Sequence, residues 1–234
     1  MTNDSRPMVI AIDGPAASGK SSTAQWVAQR LGYLHVDSGS LYRAITAATL
    51  RLGQPVDAWT PDLLVAQGDR ISLRPATHAF EALIDGEPAE EELRGTVVTS
   101  HVSHAAKMPP VRAWVNERVR RAAETQNVVV DGRDMGTAVF PDAPLKVFLI
   151  ADPWERARRR LTQRLDRRAT DDEIAEEVDA LVQRDAKDAT QTVQAKDAVV
   201  LDTTYLTQVE QVERIVALAH AVSHRPEQPD ATAE

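Results

Sequence analysis

The sequence predicts an α/β fold, an open core in which helices cover both faces of a five-stranded parallel sheet, interrupted by a small antiparallel β insertion. Three observations carry this. Apolar runs of strand length recur, each closed by an acidic residue or a turn signal; helical periodicity fills the intervals; and one stretch alone breaks the alternation.

The runs are Met8 to Ile12, Val128 to Val130, Leu145 to Ile150 and Ala198 to Leu201, with a weaker fifth at Tyr33 to Val36 ending in "DSGS". Strands that are apolar throughout suit a parallel sheet buried on both faces. Helical patterns follow at Ser21 to Arg30, after "DSGS" through Tyr42 and Arg43, and at Val111 to Glu124, Pro153 to Arg168, Thr170 to Ala189 and Leu206 to His220. The exception is residues 69 to 93, where Ile71 and Leu73 alternate with polar neighbours and Leu83-Ile84 precede Asp85-Gly86, a hairpin signal. The polar, Pro-bearing residues 225–234 read as a disordered tail.

Of 234 residues, 43% are hydrophobic, enough for a sizeable core. The formal charge of -8 argues against nucleic-acid or anionic-membrane partners, so any anion handled is small and held in a local basic pocket. With no cysteine, the chain has no disulfide framework, thiolate metal site or thiol nucleophile. The opening "MTNDSRPMVIAIDG" lacks signal-peptide features, and no apolar run approaches the ~18 residues of a membrane span. A cytoplasmic protein is expected.

The stretch Gly14, Pro15, Ala16, Ala17, Ser18, Gly19, Lys20, Ser21, Ser22 matches the P-loop pattern and stands after an apolar strand and before a helix. Its glycines let the loop curl so that backbone N–H groups face a phosphate, and the helix N-terminus adds a positive dipole end. Lys20 is placed for the β- and γ-phosphates of ATP, and Ser21 for Mg2+ accompanying the nucleotide. A GTPase switch also needs Asp-x-x-Gly and Asn-Lys-x-Asp. No Asp lies three residues before a Gly, and none of Asn3, Asn116 or Asn127 precedes Lys. A phosphotransferase and a non-catalytic ATP-binding module stay open.

Further clusters favour a second small substrate. "HVDSGSLYR" sets Asp37 and Ser38 at a strand end with Arg43 on the next helix, and "VVVDGRDMG" sets Asp131, Arg133 and Asp134 at another. Ligands of open α/β sheets bind beyond such strand ends. The plainer alternatives are that Asp37-Ser38 caps a helix and that Arg133 and Asp134 form a structural ion pair. Thr170-x-x-Glu173 is a capping box, Ile174, Val178, Leu181 and Val182 form an apolar stripe, and Arg184, Asp188 and Gln191 continue along nearly one face. In "WERARRRLTQRLDRR", Arg156, Arg160 and Arg164 share a helix face, a like-charge run that suggests an anionic partner arriving later, or else a solvated face balanced by Asp171 to Glu177.

Together "GPAASGKSS", "DSGSLYR", "VVVDGRDMGTAVFPDAPLKVFL", "RDAKDAT" and "AVVLDTTYL" closely resemble bacterial-type cytidylate kinase, within the nucleoside monophosphate kinases. The resemblance implies ATP-dependent phosphorylation of CMP and dCMP in pyrimidine nucleotide metabolism. It implies a three-layer P-loop kinase core (1–42 and 109–224), a nucleoside-monophosphate-binding insertion (43–108) and a short helical lid (about 154–170). Carried over, Ser38, Arg112 and Asp134 read cytosine, Arg43 and Arg133 hold the acceptor phosphate, and Ser103, Arg184 and Asp188 lie around the pentose. One position departs: the family's last Arg of Arg-Asp-x-x-Asp-x-x-Arg is Gln191 here. Catalysis then rests on Lys20, Arg43 and Arg133, with lid Arg closing over the donor. The acceptor oxygen is already ionised, so no general base is needed. The alternative is a kinase of a small hydroxylated metabolite, as in shikimate kinase, with Asp37 as base. Nothing in the motifs calls for a second chain, and a monomer is expected.

Overall fold

The computed structural model describes residues 7–165 and 167–223; the expected tail at 225–234 lies outside them. The chain runs β1 (Val9–Asp13), α1 (Lys20–Leu31), β2 (Leu34–Asp37) and α2 (Ser38–Leu50). It continues through α3 (Pro61–Val65), β3 (Ile71–Pro75), β4 (Phe80–Ile84), β5 (Glu87–Pro88), α4 (Glu90–Arg94), α5 (Thr96–Ala105) and α6 (Pro109–Ala122). It closes with β6 (Val128–Gly132), β7 (Leu145–Ile150), α7 (Pro153–Arg164), α8 (Asp171–Asp188), β8 (Val199–Asp202) and α9 (Gln208–Ser223). All five expected core strands form one parallel sheet, in the order β2-β6-β1-β7-β8.

The unbroken apolar runs have their physical reason here. In β1, Val9 and Ala11 pack towards α2, α5 and α6, while Ile10 and Ile12 pack towards α1 and α9. In β6, Val128 and Val130 join the first layer and Val129 the second. Each strand therefore alternates between two buried faces, and burying each such aliphatic side chain stabilises the fold by about 1.5–3 kcal/mol. Helix α1 stops at Gly32, whose left-handed φ of 68° turns its N–H back to the Ala28 and Gln29 carbonyls.

The insertion contains the expected antiparallel sheet. Ile71 opposes Ile84, and Asp85-Gly86, both at positive φ, turns β4 into β5. It also contains three helices that the periodicity did not announce. In α5, "TVVTSHVSHA", β-branched residues mask the helical signal, yet Val98, Val102 and Ala105 at i, i+4 and i+7 are its buried stripe. The insertion joins the core sheet where the His35 N–H donates to the His78 carbonyl at 2.9 Å. A third apolar cluster, Leu161, Ile174 and Leu181 with Ala16, packs α7 and α8 against the loop after β1. The capping box of Thr170 and Glu173 is present, but Val182 is exposed rather than part of the stripe, and α7 ends at Arg164 rather than Arg168.

Candidate active site

The loop between β1 and α1 begins with a glycine that no other residue could replace. Gly14 has φ 151°, and a Cβ there would lie 2.2 Å from the Leu149 carbonyl oxygen of the neighbouring strand. Gly19, at φ 91°, then admits α1. The loop is braced from behind: Ala16 N–H donates to Asp185 Oδ1 at 3.0 Å, while Arg156 Nη1 donates to the Ala16 carbonyl at 2.9 Å and to Asp185 Oδ2 at 2.6 Å. Lys20 Nζ donates to the Pro15 carbonyl at 2.7 Å. Ser21 Oγ donates to Asp131 Oδ2 at 2.7 Å.

Beside the loop opens a cavity of about 930 Å³. Its walls include Ala16 to Ser22 together with Ser38, Arg43, Ser103, Arg112, Arg133, Asp134, Arg184, Asp188 and Gln191. Strand ends supply one part: Ser38 Oγ donates to the Asp131 carbonyl at 2.8 Å, and Arg43 faces Asp37 at 3.7 Å. Gly39 permits that approach, since a Cβ there would lie 2.9 Å from both Arg43 Nη1 and Asp37 Oδ1. The turn after β6 supplies the next part. Asp13, buried, accepts the Met135 and Gly136 N–H groups at 2.8 and 2.7 Å and so fixes the turn that carries Arg133 and Asp134. Arg133 donates to the Gly14 carbonyl at 2.9 Å and to Asp188 Oδ2 at 3.0 Å; Asp134 accepts from Arg112. Arg112 also reaches Gln191 Oε1 at 3.5 Å, and Arg184 stands 3.8 Å from Asp188.

Two plainer expectations thereby fail. Asp37 occupies the cap position of α2 but makes no side-chain cap bond. Arg133 and Asp134 pair with other partners rather than each other.

Electrostatics are set by burial of many charges in one place. Desolvation, with the Arg133 charge, pulls the Lys20 ammonium down to about 7, against the attraction of Asp131 and Asp13. Desolvation raises Asp13 to about 6, and pushes Asp37 and Asp134 up. Arg184 is lowered to about 10 by burial and by Arg133. Burial also works to raise Asp131, but the bond and charge of His35, with the Lys20 charge, overcome it and hold this carboxyl below its ordinary value. His35 Nε2 lies 2.7 Å from Asp131 Oδ1.

Arg156, Arg160 and Arg164 do share a face, but that face meets α8. Arg156 binds Asp185 and the loop, Arg160 lies 3.0 Å and Arg164 3.3 Å from Glu177, and only Arg160 of the three borders the cavity. In this structure the run is balanced by carboxylates of the neighbouring helix. Arg158 and Arg159, not singled out from sequence, join Arg160 in the cavity wall. Asp13, His35 and Asp185 were also missed. Asp13 closes the first apolar run beside Gly14, and that position was its one visible signal.

An α/β core whose P-loop borders one cavity with paired guanidinium and carboxylate groups defines a P-loop phosphotransferase. The sequence model of the family described as cytidylate kinase matches residues 10–221. A cytidylate kinase of Limosilactobacillus fermentum is 42% identical over 208 residues, covering 87% of this chain and 91% of that one. One of Geobacillus kaustophilus is 40% identical over 218 residues, covering 92% and 97%. A solved structure of an uncharacterized protein from Eubacterium ventriosum has a TM-score of 0.51 at 11% identity, covering 93% of this chain and 99% of that one, a likeness of fold alone. The chain belongs to the cytidylate kinase family.

Proposed function

We propose that the chain transfers the γ-phosphate of ATP to CMP and dCMP, with Lys20 at the donor and Arg43 and Arg133 at the acceptor phosphate. One observation carries this reading: the loop and every residue matched to the acceptor site border one cavity. Ser38, Arg112 and Asp134 read the base, and Ser103, Arg184 and Asp188 hold the pentose. An Arg–Asp pair presents both donors and acceptors, as the amino group, ring nitrogen and carbonyl of a cytosine edge require.

Phosphoryl transfer needs alignment and neutralisation of charge more than covalent help. The attacking oxygen belongs to an ionised phosphate, so the site needs no base. Arg133 spends two of its donors on the Gly14 carbonyl and Asp188, which fixes the guanidinium while leaving others for the phosphate. Lys20, on the same loop that Arg133 binds, balances charge on the transferred group. Ser21 Oγ and the adjacent Asp131 carboxylate are hard oxygen donors of the kind that suits Mg2+ with nucleotide phosphates, and fit it. When bound with ATP, that ion neutralises charge between the β- and γ-phosphates. Arg158, Arg159 and Arg160 line the wall over the loop and exclude water from the transfer.

A coupled ADP-release assay over CMP, dCMP, UMP, AMP and shikimate-like alcohols tests the reading. Turnover is expected with CMP and dCMP. Activity on the alcohols with none on CMP would overturn it in favour of a metabolite kinase using Asp37 as base, and ATP binding without turnover would make the chain a binding module.

A further inference from the structure

We infer that Arg94, on the short insertion helix α4, is a third ligand of the acceptor phosphate. The inference rests on the reading that this phosphate sits against Arg43 and Arg133.

Placement comes first. Leu93 is 1% exposed in the core, and α4 packs on α2, so the adjacent residue has a fixed origin. Arg94 borders the same cavity as Gly39, Arg43 and Arg133. Among the described residues, it is the one Arg lining that cavity that comes from the chain between α2 and α6.

Charge comes second. At this end of the cavity lie Asp37 and Asp131, both near enough for their charges to act on Arg94, and Arg43 is their neighbour. Asp37 and Asp131 offset the charge of Arg43 and of the His35 bonded to Asp131, so a further cation strengthens the hold on a phosphate dianion. Arg94 supplies one. Its partner is Glu90, four residues back on the same helix, and the two side chains are 63% and 62% exposed. Exposed pairs of this spacing are weak, whereas a guanidinium meets a phosphate through two parallel, charge-assisted bonds. An arriving phosphate therefore draws Arg94 from Glu90.

Calorimetry of CMP and cytidine binding on Arg94→Ala, Arg94→Lys and Glu90→Gln, with wild-type turnover of CMP as control, tests this. Arg94→Ala should weaken CMP binding by about ten-fold or more, leave cytidine binding, the KM for ATP and the melting temperature unchanged, and be partly rescued in Arg94→Lys. Glu90→Gln, which frees the guanidinium, should tighten CMP. Unchanged CMP affinity in Arg94→Ala, equal weakening of CMP and cytidine, or weakening in Glu90→Gln would overturn the inference. A wild-type protein without CMP turnover would instead overturn the acceptor reading beneath it.

Discussion

Binding of ATP should draw a proton into the protein at Lys20. In the free protein, burial and Arg133 hold this ammonium at about 7 against its ordinary 10.5. At pH 8 a group of that pKa is only about one-tenth protonated. A triphosphate beside Nζ supplies several negative charges and returns the pKa towards its ordinary value, so the bound lysine is fully charged. The uptake at pH 8 is then about 0.9 proton per ATP, shrinking as the pH falls below 7. Asp13, raised to about 6, is ionised at pH 8 and contributes little. Titration calorimetry in several buffers of different ionisation enthalpy reads the uptake as the slope of observed enthalpy on buffer enthalpy. Lys20→Ala removes the group and should remove the slope. A wild-type slope near zero, or an equal slope in Lys20→Ala, would refute the argument. The same displacement bears on stability. Between about 7 and 10.5 the unfolded chain binds the lysine proton and the folded chain does not, so this residue's contribution to nucleotide-free stability rises with pH across that window.

Lys20→Ala should also lower kcat by about 10²–10³-fold while the melting curve does not fall; a collapsed melting temperature would make Lys20 a structural residue. Gln191→Arg should tighten CMP by calorimetry, because it restores a cation beside the acceptor next to Arg112 and Asp134; no tightening would mean the pocket is compensated elsewhere. Arg156→Met leaves Asp185 unpaired behind the phosphate loop and should destabilise the fold by about 3 kcal/mol in urea unfolding, together with a raised KM for ATP. A stable variant with unaltered ATP affinity would show that the brace is dispensable.

The sheet was legible because burial on both faces writes itself as continuous aliphatic runs, and all five runs became strands within two residues of their expected bounds. Part of the cavity wall was legible where side chains cluster at strand ends, as with Ser38, Arg133 and Asp134. What stayed hidden depends on tertiary contact. Helix α5, which brings Ser103 to the cavity, is built from residues of low helical preference, and its buried stripe exists only against α2. The arginine run of α7 showed its shared face but not what the face meets, since Glu177 and Asp185 lie a helix away. His35 is a histidine in a strand until β6 brings Asp131 beside it.

The pairing of guanidinium groups with carboxylates also resolves a tension in the composition. A chain of net charge -8 must attract two anionic substrates into one cavity. Arg112 is held by Asp134 and Arg133 by Asp188, with Asp37 3.7 Å from Arg43, so these guanidinium charges on the cavity wall are offset and two of the planes are already oriented. Such a wall favours ligands that match its donor geometry over ligands that merely carry charge, because a polyphosphate of the wrong shape gains no net attraction there. The donor side is different: Lys20 has lost much of its charge to burial, and recovers it only when phosphates arrive. Geometry at one part of the wall and induced charge at the other would then select small phosphates by two different means.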